Sequence, residues 1–160
     1  MFNEAPPTAS AAASGALESD TRVLSLGEGS FAFAAALALD WGECPKLTAT
    51  TFSSKARTLA DDPEAEDNIE TVKAFGGSVL FRVDATDLQS NEEVVRRGGK
   101  KGYGRIIFQF PEAGLAQLGA HQAVEANQQL IRGFFKSVLS SRLLCKSSGE
   151  LHLALSASTA

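Results

Sequence analysis

The chain has few of the residues that build metal centres, disulfide frameworks or membrane spans. Among 160 residues there are two cysteines, two histidines, and one each of methionine, tryptophan and tyrosine. Cys44 and Cys145 lie far apart, with no C-x-x-C pair and no histidine at ligand spacing, which argues against a zinc site and a disulfide scaffold and for a reduced, intracellular chain. No apolar run approaches the ~20 residues needed to cross a bilayer, so no membrane partner is expected. An excess of positive charge is also missing: the net charge is −4 and the pI about 5.2. Any contact with nucleic acid therefore has to be local.

The first residues, Met1 to Asp20, are rich in Ala, Ser and Pro, and Glu4, Glu18 and Asp20 suit neither a secretory signal nor a transit peptide. They read as a disordered tail ahead of one globular domain spanning residues 21–160.

The most informative stretch is Val23-Leu24-Ser25-Leu26-Gly27-Glu28-Gly29-Ser30-Phe31-Ala32-Phe33-Ala34. An apolar strand stops at a Gly-x-Gly turn and a helix of small residues begins at once. Glycines there let a ligand lie against the backbone, and the new helix presents free N–H groups. Gly27-x-Gly29-x-x-Ala32 fits the dinucleotide fingerprint and the looser loop of S-adenosylmethionine enzymes equally well.

Strands and helices then alternate, which predicts a parallel sheet covered on both faces. The pattern gives strands at Arg22 to Leu26, Leu47 to Phe52, Ser78 to Val83, Arg105 to Phe110 and Glu150 to Leu155. It gives a helix over Phe31 to Asp40 with Ser30 as N-cap and Gly42 closing it, a second opened by Asp62-Pro63, a short one after Asn91 followed by a mobile loop, and a long one over Ala120 to Leu144. Val124, Ile131, Phe134, Phe135 and Val138 should form the buried stripe of the long helix, with Arg132, Lys136, Arg142 and Lys146 solvated.

Six ordered segments carry a family resemblance: the glycine-turn run itself, Ala49-Thr50-Thr51, Pro63 to Ile69, Val83-Asp84-Ala85-Thr86, Arg105 to Pro111, and Asn127 to Lys136. In order and spacing, from Arg22 to Ser156, the chain resembles the Rossmann-like domain of eukaryotic large-subunit rRNA uridine N3-methyltransferases. The resemblance implies a three-layer α/β sandwich of class I methyltransferase type with strand order 3-2-1-4-5. It also implies S-adenosylmethionine as cofactor, a uridine of 25S-type rRNA as substrate, no metal, and the nucleolus or nucleus as location, with the cytoplasm as the alternative.

The same resemblance marks Gly27, Glu28, Gly29, Ser30, Phe31, Ser53, Asp84, Ala85 and Thr86 as cofactor-binding, and Gln109, Phe110, Pro111 and Glu112 as the catalytic tetrapeptide. The chain departs from the family pattern at Ser30 and Ser53, where an Asp is usual, and at Gln109 and Glu112, where Asn and His are usual. Without the acid after strand two, Ser53 or Ser54 can offer the ribose only neutral hydrogen bonds. Glu112, partly buried beside Pro111, would serve as base for the N3 proton.

Each site residue also has a plainer reading. Asp84 either holds the adenine amino group or caps the next turn. Glu28 either approaches the methionine moiety or is an acid placed favourably near a helix start. Phe31 and Phe33 read as packing residues, and His121 and His152 as surface or strand-face residues. Two other functions compete with the methyltransferase. One is a catalytically inactive binding or scaffold module of the same fold. The other is an NAD(P)-binding Rossmann protein, for which Lys55 would have to read a phosphate because Thr50 to Ser54 offers no acid.

The family continues past strand five with a helix and an antiparallel pair, whereas here few residues follow Leu155. The expectation is an incomplete carboxyl end with an open edge at strand five, and a chain that is marginally stable, prone to aggregate or held by a partner.

Overall fold

The computed structural model describes residues 20–114 and 119–156. The tail expected over Met1–Asp20 lies, apart from Asp20, outside the described residues.

Five short parallel strands form the sheet: β1 (Val23–Leu26), β2 (Leu47–Thr50), β3 (Ser78–Leu80), β4 (Arg105–Gln109) and β5 (Glu150–Ala154). Their order is β3-β2-β1-β4-β5, as the resemblance implies, so the chain starts in the middle, builds to one edge and then crosses to the other. Register runs Val23↔Leu47 and Val23↔Arg105 across the centre and Ile106↔Leu151 at the β4–β5 side.

The helices are α1 (Ala32–Trp41), α2 (Lys55–Asp61), α3 (Ala65–Ala74), α4 (Glu92–Gly98) and α5 (Ala120–Ser141), with a 3₁₀ turn at Leu88–Ser90. Right-handed crossovers put α1 and α3 on one face and α4 and α5 on the other. Strand alternation divides the core accordingly. Val23, Leu47, Ala49 and Ile107 pack with Phe31, Ala34, Leu37, Ile69 and Val72, while Leu24, Leu26, Ile106 and Phe108 pack with Leu88, Val94, Phe134 and Val138. Each such fully buried side chain contributes about 1.5–3 kcal/mol.

Gly42, at φ +73, closes α1 as expected. Ser30 does not cap its start: the N-cap is Phe31, held at φ +61 with no hydrogen bond from its own side chain. The β3 strand stops at Leu80, short of the expected Val83, and Arg82 at φ +57 turns the backbone just past its end. Helix α2 was not anticipated; Ser54 caps it, its Oγ accepting from Arg57 N at 3.2 Å. Asp62 is not the cap of the next helix: its Oδ1 accepts from Glu64 N at 2.8 Å in a turn, the N-cap is Glu64 with no side-chain bond, and α3 begins at Ala65.

In α5, Phe134 and Val138 are buried as expected, whereas Val124 is 57 % and Phe135 37 % exposed. Val124 lies near the start of α5, well before the buried Phe134 and Val138, and Phe135 sits one position off Phe134, whose ring meets Phe108.

β5 is an edge strand, and its Leu151 and Leu153 lean onto the α5 face. On the α1 face, Phe33, Ile107, Gln109, His152 and Ala154 line an open hollow of about 420 Å³.

Candidate active site

In an open parallel sheet, ligands sit beyond the carboxyl ends of the strands where the order reverses. Here that point lies between β1 and β4, and the expected site residues are the loops that leave those strands.

The loop after β1 owes its shape to Gly27. Its φ of +68 suits glycine, and a Cβ there would lie 2.5 Å from Cε2 of Phe108. Gly29 differs: its φ is not positive, and a Cβ would find nothing within 4 Å. It is an exposed position facing open space at the head of α1.

Glu28 is buried, and it is tied into the fold from three sides. Its N–H donates to Thr50 O at 2.9 Å, Ser25 Oγ donates to its Oε1 at 2.5 Å, and its Oε2 accepts from Ala34 N at 3.2 Å. The carboxyl thus takes the place of the missing N-cap side chain, satisfying the third N–H of α1. Burial pushes it up to about 7, against the lowering effect of the bonds from Ser25 and Ala34. The N–H groups of Ala32 and Phe33 find no acceptor among the described residues and remain at the positive end of the helix.

Phe31 is fully buried edge-on against Phe81, with ring centroids 5.8 Å apart, so it is a core residue as expected and offers a ligand only backbone. Ser30 is half-buried, and its carbonyl accepts from Asn68 Nδ2 at 3.0 Å, which fixes the loop to α3.

After β2, Ser54 is used as the cap of α2, which leaves the half-buried Ser53 as the hydroxyl facing the site edge. After β3, Asp84 Oδ1 accepts from Thr86 N at 2.8 Å and from Thr86 Oγ1 at 2.6 Å, an Asx turn. The turn-capping reading of Asp84 therefore holds, and its Oδ2 has no partner among the described residues. Ala85 is buried beneath this turn. Gly133 lets α5 approach it: a Cβ there would meet Thr86 Cγ2 at 2.8 Å.

After β4, Gln109 is half-buried and lines the hollow, and Phe110 is 57 % exposed in left-handed backbone at φ +49. Phe110 N donates to Ala154 O at 2.8 Å, and Pro111 is buried. Strained backbone in a non-glycine residue recurs at Phe31, Arg82 and Phe110, each following a different strand at this same edge. Glu112 is exposed, so the partial burial expected of it is absent. The segment after it is pinned by Ala113 N donating to Asn127 Oδ1 at 2.8 Å.

The sequence reasoning missed Ser25 as a partner of Glu28, and Asn68 and Asn127 as loop anchors. Only the recurrence of Asn68 and Asn127 inside the resembling segments hinted at the latter two. No group of three or more His, Cys, Asp or Glu among the described residues could hold a metal ion, and no helix among them is long and apolar enough to cross a membrane.

Over 135 residues the chain is 29 % identical to an uncharacterized protein of Arabidopsis thaliana, a match covering 82 % of this chain and 61 % of that one. It is 31 % identical to heavy metal-associated isoprenylated plant protein 41 of Arabidopsis thaliana, over 85 % of this chain and 25 % of that protein. It is 35 % identical to ferredoxin-fold anticodon-binding domain-containing protein 1 of Homo sapiens, over 84 % of this chain and 19 % of that protein. The chain thus spans 61 % or less of the length of these relatives. No solved structure matches it. The family model described as rRNA (uridine-N3-)-methyltransferase BTM5-like matches residues 24–160, from the second residue of β1 through β5, and the chain belongs to that family.

Proposed function

We propose that the chain is an S-adenosylmethionine-dependent methyltransferase that acts on N3 of a uridine in large-subunit rRNA, in the nucleolus. The observation that carries the reading is the β1–α1 loop: Gly29 faces open space beside two unpaired helix N–H groups, at the switch point of the sheet.

The residues present fit such a cofactor. Gly29 with the N–H groups of Ala32 and Phe33 would hold its carboxylate end, Asp84 Oδ2 its adenine amino group, and Ser53 its ribose. When bound, the cofactor supplies an electrophilic methyl group; the chain's own residues bind, orient and handle the proton.

Chemistry on a base in folded RNA requires the base to leave its stack. The exposed ring of Phe110 offers a face to the extruded uracil, and the amide of Gln109 offers both a donor and an acceptor to its edge. Pro111, buried, fixes the turn between them. Glu112 is the carboxylate adjoining this segment that takes the N3 proton. Most of the rate gain comes from holding the two reactants in register.

The test is transfer of labelled methyl from S-adenosylmethionine to uridine-containing rRNA fragments, with nucleoside analysis of the product. The account expects 3-methyluridine and a loss of at least about tenfold in Gln109→Ala and in Glu112→Gln. Equal rates in wild type and Glu112→Gln would remove the base role, and no labelled product from any rRNA fragment would remove the reading.

A further inference from the structure

The molecule is electrostatically lopsided, and the basic side is not where the proposed chemistry lies. At the carboxyl edge the loops carry more acid than base: Asp84 and Asp87 follow β3, Glu112 follows β4, and Asp61, Asp62 and Glu64 lie at and after the end of α2, against Lys55, Arg57 and Arg82, with Arg57 paired to Asp61. That edge can take a base but offers the phosphates of the RNA little attraction.

At the opposite, amino-terminal edge, three segments converge. Arg22 precedes β1, Lys100 and Lys101 precede β4, and Arg142 and Lys146 precede β5. Backbone hydrogen bonds join the three segments: Gly104 N to Arg22 O at 2.9 Å, Tyr103 N to Leu143 O at 2.6 Å, and Cys145 N to Tyr103 O at 2.8 Å. Gly102 permits this approach, since at φ +79 a Cβ would lie 2.4 Å from Leu143 O. The Arg22 guanidinium reaches over Gly99, with Nη2 3.6 Å from where a Cβ would be.

All five cations are exposed, and none forms an ion pair among the described residues. The nearby carboxylates are engaged elsewhere or outnumbered: Glu93 pairs with Arg96 and Arg97, Glu150 with Arg105 and His152, and Asp20, Asp40 and Glu43 remain, with Lys46 beside them. A solvated face needs no such convergence of three chain segments on one platform.

We infer that Arg22, Lys100, Lys101, Arg142 and Lys146 form a phosphate-tracking surface that anchors the RNA backbone at the edge remote from methyl transfer. The choice of RNA as the polyanion rests on the rRNA reading above; the surface itself does not depend on the methyl donor. A chain with net charge −4 thereby gains a local footprint for a polyanion without a basic domain.

The experiment is fluorescence anisotropy of a labelled uridine-rich RNA oligonucleotide with the full chain, without methyl donor, over a salt series. Five phosphate contacts predict a slope of log K on log salt of about −3.5 for a single strand. Lys100→Gln, Lys101→Gln and Lys146→Gln combined should lower the magnitude of that slope by about 2 and weaken binding about 100-fold near 0.1 M salt. Arg132→Gln with Lys136→Gln, on the exposed side of α5, should stay within about twofold.

An unchanged slope in the triple variant, or an equal loss in the α5 pair, overturns the inference, as does equal affinity of the wild type for anionic phospholipid vesicles. Thermal melting of the triple variant at the wild-type temperature shows that loss of RNA binding is not loss of fold. Because the assay contains no methyl donor, its failure and the failure of the methyltransferase reading are separate results.

Discussion

The Ser25 hydroxyl donates to Oε1 of Glu28 at 2.5 Å, while the other oxygen of that carboxyl accepts the Ala34 N–H, so one buried acid joins β1, the glycine turn and the start of α1. In a helix whose N-cap residue contributes no side-chain bond, this carboxyl is the cap.

Its proton affinity gives a signed prediction. The carboxyl is raised from 4.5 to about 7, because burial opposes its charged form. Since the folded state binds the proton more tightly than the unfolded chain, its contribution is full below about pH 4.5 and is lost as pH rises through 7, on the order of 3 kcal/mol in all. Urea midpoints of the wild type should therefore fall between about pH 5.5 and pH 8, and Glu28→Gln should flatten that dependence. Glu28→Ala should flatten the dependence as well and cost most at low pH, where loss of the capping carboxyl adds about 1–2 kcal/mol.

The two glycines of the turn should separate folding from binding. Gly27→Ala places a Cβ into Phe108 at positive φ and should cost about 2 kcal/mol or more, read as a lower melting temperature. Gly29→Ala meets nothing and has ordinary backbone, so its melt should match the wild type.

Adjacent phenylalanines in α5 should behave unequally. Phe134, fully buried with its ring centroid 5.0 Å from that of Phe108, should cost about 3–5 kcal/mol on truncation to alanine. Phe135→Ala, at 37 % exposure, should cost less than about 1 kcal/mol. Denaturant titration checks both.

The two thiols should also differ. Hydrogen bonds from Ser147 and Ser148 lower Cys145 to about 6, while burial raises Cys44. At neutral pH iodoacetamide should alkylate Cys145 first, with Cys44 reacting only on unfolding.

What could be read in advance followed the range of the forces involved. The five strands were legible because apolar runs and glycine turns mark them locally, whereas their order was legible only through the family resemblance. Candidate site residues could be named through the same resemblance. Their states could not. Phe31 caps α1 in left-handed backbone because its ring is needed against Phe81, a contact 50 residues away that no local propensity for Ser30 could outweigh. Glu28 is buried where Ser25 and Ala34 offer it hydrogen bonds, and Glu112 is exposed although Pro111 beside it is buried; neither environment is written in the flanking residues. The Val124 and Phe135 errors have the same origin, since periodicity gives a helix face but not how far the sheet extends beneath it.

The central claim is that the loop at Gly29 receives a methyl donor, and calorimetric titration of S-adenosylmethionine into the wild type and Gly29→Val tests it most directly. The account predicts saturable binding to the wild type, and at least about tenfold weaker binding to a variant that melts at the same temperature. No heat with the wild type, or equal affinity in both proteins, would contradict it.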